Sequence, residues 1–198
     1  DMLFVIFLTT MVAEVYFLNP YKYDTSDALK NYDQAYSEYY DKALTAEGEE
    51  LDTLTTNLNK ALYKFEKSQM FLYGYYVLFI FIYFVVFQKW NNGQTLGKKL
   101  FKVRVVNSND ENPSFLQYVL KYLLYGTSIS LGFTLVALIK VILLAVGVGS
   151  TVYFYSFLGM QYFAFLLEAL LVIVFLVNKD GKSFNDILAK TKVIYLEK

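Results

Sequence analysis

The sequence predicts an all-α integral membrane protein with four transmembrane helices, a long extracytoplasmic helical hairpin and a small cytoplasmic β-ribbon. Three observations lead to this fold class. Hydrophobic residues make up 56% of the 198 residues, they are gathered into four long apolar runs, and the Lys and Arg residues are concentrated in only some of the segments between those runs. A hydrocarbon core about 30 Å thick is crossed by about 20 helical residues, so apolar runs of this length predict membrane spans.

The composition also excludes several classes of function. The chain has no Cys and no His, which removes disulfides, thiolate nucleophiles, His-centred triads and most zinc or haem ligation. Its net charge of +0 argues against a nucleic-acid partner, because phosphate binding needs an excess of basic side chains. We therefore expect no enzyme activity, no catalytic residues, no metal site and no cofactor.

The first predicted span covers residues 1–18, and its apolar run, residues 2–18, contains one charge, Glu14. A cleaved signal peptide is the alternative. It is disfavoured because no basic segment precedes the run and the residues around Phe17 are too bulky for a cleavage site. Since the chain begins at Asp1 without a start methionine, we expect that residues upstream are missing.

Residues 19–68 are predicted to form an extracytoplasmic hairpin of two amphipathic helices. Apolar and aromatic residues recur at steps of three and four on both sides of Gly48. Two interpretations stay open. The hairpin is either a stalk that buries its own seam or a docking surface, the latter favoured by its excess of acidic residues and its many Tyr side chains.

The second span, residues 69–87, leads into a loop with the most specific motif of the chain. Residues 93–99 read Gly-Gln-Thr-Leu-Gly-Lys-Lys. A P-loop needs four residues between its glycines and Ser or Thr after the Lys, whereas three residues separate Gly93 from Gly97 and Lys99 follows Lys98. Apolar and basic residues then alternate within the 88–112 loop and again in the tail, 178–198, which predicts two short strands that pair into a ribbon.

Residues 113–127 are predicted to form a helix in the membrane interface, with Asn112 as its cap and Pro113 at its first position. The alternative is one long tilted helix over 114–148. The remaining spans are residues 128–149 and 153–177.

The basic residues predict the topology. Segment 19–68 holds six Lys against ten acidic residues, 88–117 holds five basic against two acidic residues, and 178–198 holds five Lys against three acidic residues. By the positive-inside rule, the 88–117 loop and the tail are cytoplasmic. Four spans then place both termini inside, in an inner or plasma membrane.

Three ionisable residues fall within the predicted spans: Glu14, Lys140 and Glu168. A charge at mid-bilayer costs roughly 2.5 to 3.5 kcal/mol on insertion scales, so these side chains should face one another or water. We predict that Lys140 pairs with Glu168 or with Glu14. An ion pair that fixes helix register, an ion or proton site, and a contact with another subunit are the open interpretations.

The motifs resemble those of the RDD family of bacterial membrane proteins, named for one arginine and two aspartates. The matching residues are Asp1 for the first aspartate, Gly93, Gln94, Thr95, Gly97 and Lys98 for the Gly-Gln-Thr-x-Gly-Lys stretch, and Asp186 and Thr191 for the last element. Two departures are the missing arginine and Asn185, which stands where His is common. The resemblance implies a membrane protein of a family sometimes proposed to transport ions or other solutes.

A second charged set is expected at the inner membrane edge: Asp1, Lys98, Lys121 and Asp186. The simplest interpretation is that these charges are solvated at headgroup level. We also predict that Asp186 is structural before it is functional, because its carboxylate can hold backbone amides or the basic 97–99 segment.

Two functions therefore remain from the sequence. One is transport of an ion or small solute, and the other is that of an accessory subunit of a larger membrane complex. The expected partners are the lipid bilayer and other membrane subunits or further copies of the chain.

Overall fold

The computed structural model describes residues 1–126, 133–179 and 182–196. The start of the predicted third span, the last residue of the predicted interfacial helix, and Asp180 and Gly181 of the tail lie outside the described residues. The described part is mostly helical with one two-stranded sheet, in agreement with the predicted secondary structure.

The elements follow one another along the chain, with one π-helical segment inside the apolar helix Met70–Trp90. In order they are α1 (Met2–Ala13), α2 (Asp24–Lys42), α3 (Glu49–Ser68), α4 (Met70–Ile80), the π-helical segment (Phe81–Phe87), α5 (Gln88–Trp90), α6 (Leu96–Leu100), β1 (Val103–Asn107), α7 (Phe115–Leu123), α8 (Thr134–Val146), α9 (Ser150–Val177), α10 (Phe184–Ala189) and β2 (Thr191–Tyr195).

Two of the described helices are long and apolar enough to cross a membrane. They are Met70–Trp90, with 21 residues, and Ser150–Val177, with 28 residues. Helices α1 and α8 are apolar but have only 12 and 13 residues, and 12 residues rise about 18 Å at 1.5 Å per residue. Length and composition thus identify two of the four predicted spans.

Helix α1 ends earlier than the sequence predicted, so Glu14 is not inside a membrane helix. The Asn19 amide donates a hydrogen bond of 3.0 Å to the Ala13 carbonyl, and Lys22 donates one of 2.6 Å to the Glu14 carbonyl. These bonds satisfy carbonyls at the helix end, which apolar composition alone does not reveal. The Glu14 carboxylate is 72% exposed and forms a 3.0 Å salt bridge with Lys22.

Helices α2 and α3 form the predicted hairpin around Gly48, whose φ of 56° suits glycine. Leu54, Leu58 and Leu62 are buried on α3, whereas no residue of α2 is buried. Helix α3 is followed after one residue by α4, so the hairpin is directly continuous with the long apolar helix.

Helices α7 and α8 are separate elements, which excludes one helix over 114–148. Helix α7 ends at Leu123, and the chain then passes through Gly126 at a φ of 134°. The predicted cap was also wrong, because Ser114 and not Asn112 caps α7. The Ser114 hydroxyl accepts from the Gln117 amide and the Gln117 side chain accepts from the Ser114 amide, which is a capping box.

The two strands pair as an antiparallel ribbon, as the alternating residues predicted. Val103 lies opposite Tyr195 and Asn107 lies opposite Thr191. The ribbon packs beside the end of the Met70–Trp90 helix, because the core there contains Val105 together with Tyr83, Phe84 and Tyr122. The motif loop, the ribbon and α7 therefore meet at one end of the molecule, which we call the ribbon end.

Candidate functional site

The Asp1 carboxylate is bound by the motif loop. Its Oδ2 accepts a 2.6 Å hydrogen bond from the Thr95 hydroxyl, and its Oδ1 accepts from the Tyr83 hydroxyl at 2.6 Å and from the Gly97 amide at 2.9 Å. A Cβ on Gly97 would lie 2.7 Å from Oδ2, which explains the glycine. Three uncharged donors thus hold this carboxylate, and the contact joins the start of α1 to α6.

The other motif residues build the loop itself. Gly93 has a φ of 85°, and a Cβ there would lie 2.3 Å from the Val105 carbonyl oxygen. The Gly93 carbonyl accepts from the Val105 amide at 2.9 Å and from the Gln88 amide at 2.8 Å. Gln94 donates a 3.0 Å bond to the Val103 carbonyl. Gly93 and Gln94 therefore dock the loop on β1 and have a structural role.

Asp186 lies at the centre of a second polar group, the Asp186 cluster. It forms a salt bridge with Lys121 of α7 and accepts hydrogen bonds from Thr191 at 2.9 Å and Ser183 at 2.7 Å. Burial would raise the pKa of Asp186, but the Lys121 ammonium and the hydroxyl groups of Ser183 and Thr191 outweigh it and hold the pKa below its usual 3.8. The cluster joins α7, α10 and β2.

Two expectations for the ribbon end are thereby corrected. Asp186 contacts Lys121, not the 97–99 segment, because the capped start of α10 directs the carboxylate toward α7. Lys121 and Asp186 are also not solvated, since they are only 7% and 8% exposed. A buried charge needs a partner of opposite charge, and Lys121 and Asp186 are partners of each other.

Lys98 lies between these groups. Its ammonium donates a 3.3 Å hydrogen bond to the Tyr122 hydroxyl, which itself donates a 2.6 Å bond to Gln88. The ammonium also lies 5.8 Å from the centre of the Phe84 ring. Burial and, to a smaller extent, the Lys121 ammonium lower the pKa of Lys98 to about 8, against the opposing effect of the Asp186 carboxylate.

A third polar group lies at the hairpin side, where four helices meet. The hairpin-side cluster consists of Glu66 on α3, Tyr73 on α4, Lys140 on α8 and Tyr153 on α9. The Lys140 ammonium lies 3.1 and 3.0 Å from the two Glu66 carboxylate oxygens, and the Tyr153 hydroxyl donates a 3.1 Å bond to Glu66. The side chains of Lys140 and Glu66 are 12% and 5% exposed.

Aromatic rings surround the Lys140 ammonium in this cluster. It lies 4.6 Å from the centre of the Tyr73 ring and 4.9 Å from that of Phe157, and it donates a 3.4 Å bond to the Tyr73 hydroxyl. A ring face attracts a cation. The ammonium is therefore held by one carboxylate and by two ring faces within the helix bundle.

The structure corrects the predicted partner of Lys140. The partner is Glu66, whereas Glu14 pairs with Lys22 and Glu168 lies half-buried on α9. The prediction assigned Glu66 to the extracytoplasmic loop and so omitted it. A sequence signal was present, because Leu54, Leu58, Leu62 and Glu66 follow one another at steps of four on the apolar face of α3.

Comparison with known proteins places these groups in context. A sequence model of the RDD family matches residues 1–190. Curated proteins and solved structures gave no match. The matched range covers the three polar groups except for Thr191, which belongs to the Asp186 cluster. Among the described residues, no cluster of Asp and Glu is arranged to hold a metal ion.

Proposed function

Because the chain belongs to the RDD family, whose members are membrane-associated bacterial proteins, we propose that it is a multi-pass membrane protein that transports a small ion or solute. The observation that carries this proposal is the Lys140–Glu66 pair, enclosed by four helices. Ionisable residues among apolar helices are costly, and they commonly mark an ion pathway or proton relay. The proposal includes no catalytic step.

The proposed topology has four spans, with the ribbon end and both chain ends in the cytoplasm. Pairing of β1 with β2 supports a common side for the motif loop and the tail, and the contact of Asp1 with Thr95 brings the start of α1 to that side. The excess of Lys and Arg in these segments supports the cytoplasm as that side.

Single cysteines test this topology, since the native chain has none. Ser37 on the hairpin and Ser108 beyond the ribbon are both exposed. An impermeant maleimide added to intact cells should label Ser37→Cys and should label Ser108→Cys only after lysis. Labelling of Ser108→Cys in intact cells would contradict the topology.

The chemistry of the pair favours exchange of one monovalent cation for one proton. One positive charge enters and one leaves, so the net charge of the cluster is unchanged. A low-dielectric site tolerates such an exchange better than a change in net charge.

Purified protein in liposomes tests transport. With a pH-sensitive dye inside, a gradient of Na⁺ or K⁺ should produce proton flux through the wild type. Glu66→Gln and Lys140→Met should abolish it, whereas Glu14→Gln, which alters an exposed pair, should not. Absence of cation-coupled flux through the wild type under every gradient would refute transport of these ions.

An accessory role is the second candidate, and the hairpin supports it. Helix α2 has no buried residue. It exposes the large side chains of Leu29, Tyr36 and Tyr40, and Tyr23 just before the helix is also exposed. Exposed aromatic side chains of this kind are typical of interfaces. If the chain is an accessory subunit, purification in mild detergent should yield a stable set of subunits. The double variant Tyr36→Ser with Tyr40→Ser should release the other subunits without unfolding the chain.

A further inference from the structure

Lys98 is a half-buried cation without a carboxylate partner among the residues that the structure describes. The salt bridges of the ribbon end join Lys121 with Asp186 and Lys192 with Asp110. Lys98 instead contacts the neutral Tyr122 hydroxyl and two aromatic rings. A partly desolvated ammonium in such surroundings gains from binding an anion.

The neighbouring carboxylates are already occupied. Asp186 is held by Lys121 and by two hydroxyl groups. The Asp1 carboxylate accepts its hydrogen bonds from Tyr83, Thr95 and Gly97. Neither is free to move to Lys98 without leaving other buried groups unsatisfied, so an anion that binds Lys98 must come from outside these groups.

The long apolar helix indicates the depth of Lys98 in a membrane. Met70–Trp90 has 21 residues, about 31 Å of helix, which matches a hydrocarbon core of about 30 Å. Trp90 is the last residue of this helix and is 82% exposed, and Trp is favoured at the membrane surface. Phe84 is about 9 Å deeper along the helix. The Lys98 ammonium, 5.8 Å from the centre of the Phe84 ring, therefore lies below the level of Trp90, on the acyl-chain side of the headgroup boundary.

Apolar side chains around Lys98 complete a surface suited to lipid. Leu96 is 54% exposed, Leu100 is 78% exposed and Phe101 is 73% exposed. They belong to the same short segment as Lys98, and an aqueous surface would give them no favourable contact. Exposed apolar groups beside a cation at this depth match the acyl chains and phosphate of one phospholipid.

We propose that Lys98 binds the phosphate of an anionic phospholipid in the leaflet at the ribbon end, while Leu96, Leu100 and Phe101 contact its acyl chains. Tyr122 positions the ammonium, because its own hydroxyl proton is donated to Gln88. This site is separate from the hairpin-side cluster and does not depend on the transport proposal.

Lipid-dependent thermal stability in detergent tests the site, with phosphatidylglycerol as the anionic lipid and phosphatidylcholine as the neutral one. Lys99 is the matched control, since it is the next residue of α6 and is exposed. Phosphatidylglycerol should raise the Tm of the wild type and of Lys99→Met. For Lys98→Met, the apparent Kd for phosphatidylglycerol should increase about fivefold, the loss expected for one lysine near a membrane surface.

Several results would overturn the assignment. Equal loss of affinity in Lys98→Met and Lys99→Met would mean that the lipid responds only to overall charge, and no loss in either would exclude Lys98. If inorganic phosphate alone raised the Tm as the lipid does, the ligand would be a free phosphate.

A measurement on the wild type keeps the test valid if Lys98→Met fails to fold. Phosphatidylglycerol should protect Lys98 from acylation more than it protects Lys99, as quantified by peptide mass spectrometry. Equal protection would refute the site.

Discussion

Replacing Lys140 by Met removes the ammonium from the hairpin-side cluster and leaves the 5% exposed Glu66 carboxylate with the Tyr153 hydroxyl as donor. Removing one member of a buried pair costs about 3 to 5 kcal/mol, because the other charge is left uncompensated. Adding Glu66→Gln removes that charge, and the amide oxygen can still accept from Tyr153. We therefore expect the double variant to recover about 2 kcal/mol or more of the loss.

Reversible unfolding in mixed dodecyl maltoside and SDS micelles measures these differences. The control is Lys140→Met with Glu168→Gln, which changes a carboxylate that the structure does not place in a salt bridge with Lys140. That control should recover nothing. If it recovers stability while Lys140→Met with Glu66→Gln does not, Glu66 is not the partner of Lys140. The recovered variant should still be inactive in liposomes, since its cluster has lost both ionisable groups.

Two further predictions concern the ribbon end. Gly97→Ala should destabilise the protein by about 1 to 3 kcal/mol in the same unfolding assay, because its Cβ would lie 2.7 Å from the Asp1 carboxylate, whereas Gly74→Ala, with nothing within 4 Å, should not. Asp186→Asn leaves Lys121 unpaired and should cost about 3 to 5 kcal/mol at pH 7. Since the folded pKa of Asp186 is below its usual 3.8, part of the wild-type stability should be lost as the pH falls through that pKa, and the variant should lack this step.

Periodic patterns in the sequence predicted the regular elements well. Alternation of apolar and basic residues located both strands and their pairing, because a strand with one packed face needs that period. The hairpin followed in the same way from apolar steps of three and four. Both patterns show which face of an element is buried, because apolar residues recur on that face.

Helix ends and polar partners could not be predicted in that way. The end of α1 depends on side chains of Asn19 and Lys22 that reach back to helix carbonyls. The partner of Lys140 is 74 residues away in sequence and lies in a segment assigned to the aqueous loop. Such contacts depend on how the helices pack together. A count of residues along one span predicts how deep a residue lies in the membrane, but it does not predict which residues contact it.

The π-helical segment explains how one helix contacts the motif loop and its surroundings through both Tyr83 and Gln88. Tyr83 contacts Asp1 and the Leu96 amide, whereas Gln88 contacts Gly93 and Tyr122. Five residues of an α-helix turn through about 500°, which would place these two side chains about 140° apart. A π-helix bonds residues five apart and brings them closer to one face. The wider turn over Phe81–Phe87 therefore lets Tyr83 and Gln88 both face the loop, a geometry that a regular helix over the same sequence would not provide.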